Sequence, residues 1–213
     1  MKTCYIFSAA EGLPKNFKRE SGDIVIAADA GFEHLQKLNI APDIVLGDFD
    51  SLGFVPENAE IIKHPIKKDD TDTLLAVKTG FSRGYTLFVL YGCTGGRLDH
   101  TLANLQTLNY IACKGGMGFI CGNGFCATAV KNGELHFSSR AKGNISVFAA
   151  GTKAKGVSLK GLLYNLNNAE IEYDFPLGVS NEFIGKEADV SVTDGMITVI
   201  WSGTLKDAKI DLV

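Results

Sequence analysis

Residues 85–122 read YTLFVLYGCTGGRLDHTLANLQTLNYIACKGGMGFICG. The stretch opens on an unbroken apolar run, turns through a glycine-rich segment at 92–96, and continues with leucines at three- and four-residue spacing. It closes on a second apolar run. Leu98, Leu102, Leu105, Leu108 and Ala112 share one helical face, so the spacing predicts a helix from Leu98 to about Ala112. Strand, helix, strand in that order is a βαβ unit, and its two strands must run parallel.

The same alternation extends toward the N-terminus. TCYIFSA (from Thr3), DIVIAAD (from Asp23), DIVLGD (from Asp43) and AEIIKH (from Ala59) are short apolar runs that read as further strands. A second helix is expected from about Thr71 to Arg83, with Leu74, Val77 and Phe81 on one side and Thr71 as its cap. Beyond about Gly124 the period changes to two. CATAV, ELHF, NISVFAA, GVSLKG, AEIEY, ADVSV and MITVI are separated by Gly and Asn. Asn132-Gly133 and Asp194-Gly195 each suit the two-residue turn of a hairpin. The expected fold is therefore an α/β N-terminal domain with a mostly parallel sheet over 1–125, followed by a C-terminal all-β sandwich domain, or a small barrel, over 126–213.

Composition agrees with a folded chain. Of 213 residues, 46% are hydrophobic and 21% charged, and the net charge of −3 lacks the basic surplus of a nucleic-acid binder. No run approaches the roughly 18 apolar residues of a membrane span. The N-terminus lacks a signal-peptide cleavage pattern, so a cytoplasmic protein is expected. The five cysteines (Cys4, Cys93, Cys113, Cys121 and Cys126) are odd in number, include no C-x-x-C, and read as small buried hydrophobes.

The acidic residues fall where an open α/β sheet binds ligands. Asp29, Asp48 and Asp50 follow apolar runs; Asp69, Asp70 and Asp72 precede the second helix; Asp99 starts the Leu98 helix. All lie at strand carboxyl ends or helix amino ends, which face one crevice. Carboxylates about 4 Å apart repel by roughly 4 kcal/mol at an effective dielectric near 20, and a hard cation such as Mg²⁺ relieves that repulsion. In an extended Asp48-Phe49-Asp50 the two side chains point the same way and can reach one ion, although Asp48–Ser51 also suits a plain turn and cap. The turn before Leu98 presents backbone N–H groups to an anion, with Arg97 adding a planar fork of donors. It matches neither the dinucleotide-binding nor the P-loop pattern.

Taken together, ADAGFEHL, PDIVLGDFDSL, KDDTDT, GGRLDHTLANL and LGVSNEF closely resemble the thiamine pyrophosphokinase family, in order and spacing, over almost the whole chain. The resemblance implies a homodimer with the site shared between subunits, Mg²⁺ as cofactor, ATP as co-substrate and thiamine as acceptor. It implies that Asp48, Asp50 and Asp72 hold the metal and pyrophosphate, and that Asp29, Asp69, Thr71, Gly96, Arg97 and Asp99 hold the nucleotide. It further implies that Ser180 and Asn181 meet thiamine across the dimer. Where the family usually has A-D-G-G-A-N, this sequence has Ala28-Asp29-Ala30-Gly31-Phe32-Glu33, and Ala30 and Glu33 are departures that bear on the nucleotide pocket. Two other readings are a magnesium phosphohydrolase using Asp48 and Asp50, and a non-catalytic nucleotide or thiamine binder.

Overall fold

The computed structural model describes residues 2–47, 59–63 and 70–209, which divide into two compact units, Met1–Asn123 and Gly124–Val213. The first unit runs β1 (Thr3–Phe7), β2 (Ile24–Ala28), α1 (Gly31–Lys37), β3 (Ile44–Gly47), β4 (Glu60–Lys63), α2 (Asp72–Ser82), β5 (Leu87–Tyr91), α3 (Leu98–Cys113) and β6 (Met117–Gly122). The strand order is β6-β5-β1-β2-β3-β4 and every pairing is parallel, as the alternating apolar runs imply. Both β2 and β3 are buried along their whole length. That is why they read as continuous apolar runs and not as alternating ones. From β1 the sheet grows outward to β4, and the chain then returns through α2 to β5 on the other side of β1. The order therefore reverses between β1 and β5, where open α/β sheets place their ligand crevice.

Helix α2 begins as its cap predicts, with Thr71 Oγ1 accepting from the Leu74 N–H at 3.2 Å. Helix α3 has the expected span but a different buried face. Asn104, Thr107, Leu108 and Ile111 are buried, whereas Leu98 and Leu102 are 82% and 54% exposed. Leucine spacing fixes which residues share a stripe, but the sheet decides how much of that stripe is covered. Helix α1 has no counterpart among the predicted elements. At seven residues with Gly31 at its start, it offers too short a period to be read.

The second unit contains β7 (Phe125–Phe137), β8 (Asn144–Ala149), β9 (Lys153–Lys160), β10 (Leu166–Glu172), β11 (Gly178–Glu182), β12 (Ala188–Ser202), a short 3₁₀ turn (Leu205–Asp207) and β13 (Ala208–Lys209). Its pairings are antiparallel. The two predicted hairpin turns are absent. Asn132-Gly133 lies inside β7 and Asp194-Gly195 inside β12, and the two long strands pair with each other across both sites. The register slips between Val192 and Met196, and the Gly195 N–H donates to Asn132 Oδ1 at 2.8 Å. Asn132 and Gly195 have φ of +46° and +110°, so these residues supply the left-handed backbone that a hairpin turn needs, but here they spend it on a bulge. On either side of the bulge β12 changes partner, pairing β9 through Asp189–Asp194 and β8 through Ile197–Trp201. Around Trp201, Phe137 and Phe183 an aromatic cluster closes the interior, with Phe137 5.3 Å from Trp201 and 5.0 Å from Phe183 between ring centres.

Candidate active site

A cavity of about 890 Å³ opens at the carboxyl ends of β1, β2 and β5 in the first unit. Its walls are the segment after β1 (Ser8–Leu13), Ala28 and Asp29 after β2, the first turn of α2, and the glycine turn leading into α3. The volume lies in the range of small-molecule sites, roughly 300–1,000 Å³, and the position is the β1/β5 switch point. Asp29, Thr71, Asp72, Gly96 and Arg97 all line it, so five of the residues singled out in the sequence share one cavity. Asp48, Asp50 and Asp69 lie outside the described residues.

Asp29 sits at φ +52°, a left-handed position that Asp tolerates better than most residues, and its N–H is held by the Leu46 carbonyl at 2.7 Å. Just beyond it, a Cβ on Gly31 would stand 1.9 Å from the Phe7 carbonyl oxygen, so only glycine lets α1 press against the end of β1. Ala30 has φ −61°, an ordinary helical value, and Glu33 is exposed. The two departures from the family pattern thus fall where this backbone asks for no glycine and where the side chain meets solvent.

At the start of α3 the N-cap residue Arg97 makes no side-chain cap bond, and the His100 N–H is held by Asp99 Oδ1 at 3.0 Å, so an anion would meet the amides of Leu98 and Asp99. The Arg97 fork engages Asp99 twice, from a terminal guanidinium nitrogen at 2.6 Å and from Nε at 3.2 Å. That hydrogen bond holds the Asp99 carboxyl below its usual range, and both side chains are exposed. Asp99 does not line the cavity; its observed partners are Arg97 and the His100 N–H. Asp70, beside the site, is paired with Lys78 at 2.6 Å. Among the described residues no group of three His, Cys, Asp or Glu side chains could hold a metal alone. Asp29 and Asp72 in one cavity do fit a cation such as Mg²⁺, which takes one or two protein carboxylates and completes its shell with phosphate and water.

Below the cavity, burial pushes the Cys93 thiol up to about 12, so it stays protonated and is not a nucleophile. Cys4, Cys121 and Cys126 are likewise buried, and Cys113 is the exposed exception.

In the second unit Ser180 and Asn181 lie within β11, at a register slip between Gly178 and Asn181. Ser180 is exposed, with φ +60°. Asn181 is only 4% exposed, and its amide is spent within the chain. Oδ1 accepts from the Tyr164 and Glu182 N–H groups, both at 2.9 Å, and Nδ2 donates to the Tyr164 carbonyl at 2.6 Å. Within the chain, Asn181 thus clips the 162–165 turn to β11, beside the exposed Ser180 and Tyr164.

Residues 18–115 match the family model described as the thiamin pyrophosphokinase catalytic domain, and residues 133–197 match the model of the thiamin pyrophosphokinase vitamin B1 binding domain. The chain belongs to the thiamin pyrophosphokinase family. A thiamine pyrophosphokinase of Bacillus subtilis is 29% identical over 186 residues, covering 83% of this chain and 86% of that protein. A rice (Oryza sativa) thiamine pyrophosphokinase 1 is 23% identical over 216 residues, covering 92% of this chain and 75% of its own. The crystal structure of a thiamin pyrophosphokinase family protein from Enterococcus faecalis superposes with a TM-score of 0.81 at 29% identity, covering 95% of this chain and 99% of that one.

The sequence reading missed several residues of the cavity, Thr73 among them, and one of the second unit. Ser8, His34 and Asn104 line the cavity, and Tyr164 presents an exposed ring whose backbone is pinned by Asn181. Ser8 and Asn104 carried no signal because their roles depend on partners far along the chain. An exposed aromatic beside a buried Asn, by contrast, is visible only once β11 is placed.

Proposed function

We propose that the protein transfers the pyrophosphoryl group of ATP to the hydroxyl of thiamine, giving thiamine diphosphate and AMP. The observation that carries this reading is the convergence of Asp29, Asp72, Arg97 and the uncapped α3 amino end on one cavity. The membership of a thiamin pyrophosphokinase family names the reaction. In that reaction the thiamine oxygen bonds to the β-phosphorus of ATP, the bond from that phosphorus to the bridging oxygen breaks, and AMP leaves with the oxygen. Such transfers need mainly alignment and charge stabilisation. The α3 amino end and Arg97 bind the phosphates, and Arg97 must turn part of its fork from Asp99 to them. Asp72, with Asp48 and Asp50, would hold Mg²⁺, which would supply charge neutralisation for the phosphates. Asp29, Asp69 and Thr71 line or flank the nucleotide, and Asp48 or Asp50 accepts the hydroxyl proton.

We read residues 126–213 as a sandwich that binds thiamine and dimerises, with residues 1–125 carrying the nucleotide chemistry. Supporting this are the exposed Ser180 and Tyr164 and the exposed apolar side chains Leu163, Val179 and Ile184 in one short region of the second unit. Five free thiols suit a reducing cytoplasm. The family assignment does not favour a phosphohydrolase or a non-catalytic binder. Incubating the protein with ATP, Mg²⁺ and thiamine and separating the products by chromatography tests the proposal. Thiamine-dependent AMP with equimolar thiamine diphosphate supports it, and ADP with orthophosphate contradicts it.

A further inference from the structure

We infer that Ser8 and Thr73 are a positioning pair that sets the direction of Asp72. The inference rests on the nucleotide reading of the cavity and adds two residues to which the family resemblance assigned no role.

Ser8 ends the segment of β1, and Thr73 is the second residue of α2; they are 65 positions apart and both are buried. Their hydroxyls meet at 2.8 Å. Ser8 is fixed independently of that contact. Its N–H donates to the Tyr91 carbonyl at 2.9 Å, the same carbonyl that the buried Cys93 thiol reaches at 3.5 Å. Cys93 in turn is held by Asn104, whose amide donates to the Cys93 carbonyl at 2.8 Å. Thr73 is thus tied to a frame built from β1, the end of β5 and α3.

Helical geometry turns that tie into an orientation. Successive side chains on a helix point about 100° apart, so pinning Thr73 against β1 fixes where its neighbour Asp72 points. The Thr71 cap fixes where the helix begins, its Oγ1 accepting from the Leu74 N–H and its carbonyl from the Leu75 N–H. The Ser8 contact adds a side-chain tie from the first turn itself to the end of β1. Thr73, Asp72 and Ser8 all line the cavity, so a small rotation at Thr73 displaces the Asp72 carboxylate within it. A merely structural pair, two buried hydroxyls satisfying each other, would have a different signature. Replacing both by apolar groups of similar shape is nearly neutral for stability, and it would then leave ligand binding unchanged.

The test is the double variant Ser8→Ala/Thr73→Val in the full chain, with Mn²⁺ binding followed by electron paramagnetic resonance and ATP binding by calorimetry. The positioning role predicts a melting temperature close to that of the wild type, Mn²⁺ and Mn²⁺-dependent ATP binding weakened about five- to tenfold, and a thiamine KM that moves less than twofold. Thr73→Ser, which keeps the hydroxyl, should recover most of the loss seen in Thr73→Val alone. Wild-type binding in the folded double variant, or no rescue by serine, overturns the inference. Wild-type protein that binds Mn²⁺ and ATP but forms no thiamine diphosphate would overturn the reaction assignment and leave this inference standing.

Discussion

Asp72, Arg97 and Asn181 illustrate three ways in which a single polar residue serves this chain. Asp72 lines the cavity and shares it with Asp29, so Asp72→Asn keeps shape and removes charge. Turnover should fall by orders of magnitude while the melting temperature stays within a few degrees, which steady-state rates and thermal unfolding check together. Arg97→Lys keeps the charge but loses the planar fork that now reaches Asp99 twice. The ATP KM should rise with the fold intact, and normal ATP use by Arg97→Lys would mean that the fork is not the phosphate contact. Asn181 works inward. Asn181→Ala leaves the Tyr164 N–H and carbonyl without their partner, at a cost of about 1–3 kcal/mol per unsatisfied buried group. In a chain of this size that is a fall of several degrees in melting temperature. His136 adds a pH dependence. Its Nδ1 bonds Asp189 at 2.6 Å and Glu134 lies 3.3 Å from Nε2, so these partners raise its pKa above the usual histidine value of 6.5. A raised folded pKa means stability that is present in full below about 6.5 and is lost as pH climbs through the folded value. Thermal unfolding from pH 6 to 8 should show that loss in the wild type and not in His136→Gln.

At the scale of elements, what the sequence reveals follows from what each residue needs to know. The strands of the parallel sheet were legible from short apolar runs, clearest in β2 and β3, where burial on both faces makes a strand apolar throughout, a property each run carries by itself. The cap of α2 and the acids at the amino ends of α2 and α3 were legible for the same reason: a helix amino end writes its requirement locally. The buried face of α3 was not. Leu98 and Leu102 belong to the leucine stripe, yet Asn104 and Thr107 are buried beside Leu108 and Ile111, because each polar side chain has a carbonyl to bind: Asn104 that of Cys93 and Thr107 that of Ala103. Leu108→Ala should therefore cost about 2–5 kcal/mol, whereas Leu102→Ala should change monomer stability by less than 0.5 kcal/mol; denaturant unfolding separates the two. The Asn-Gly and Asp-Gly pairs were misread because left-handed backbone serves a turn or a bulge equally, and only the partner strand decides. Gly195→Ala places a side chain at φ +110° with its Cβ 3.1 Å from the Lys153 carbonyl oxygen, so it should destabilise the second unit by more than about 1 kcal/mol.

For the whole molecule, the proposed reaction divides into separable halves carried by the two units. The first supplies the cavity with its acids, its arginine and its uncapped helix end, and the second supplies an exposed polar and aromatic face held in shape by Asn181. If the proposed dimer builds each site from two chains, and Asn181→Ala protein stays folded but inactive because the Tyr164 turn is no longer clipped to β11, mixing it with inactive Asp72→Asn protein should restore activity through hybrid dimers once subunit exchange is demonstrated. Failure to complement despite exchange would place each site within one chain. The central claim is that both outer phosphates of ATP move together to thiamine. The measurement that addresses it most directly traces label from ATP marked at the α- or the β-phosphorus into products formed with thiamine and Mg²⁺. The account predicts that α-label remains in AMP while β-label appears in thiamine diphosphate. Retention of β-label in ADP, or release of label only as orthophosphate, would contradict it.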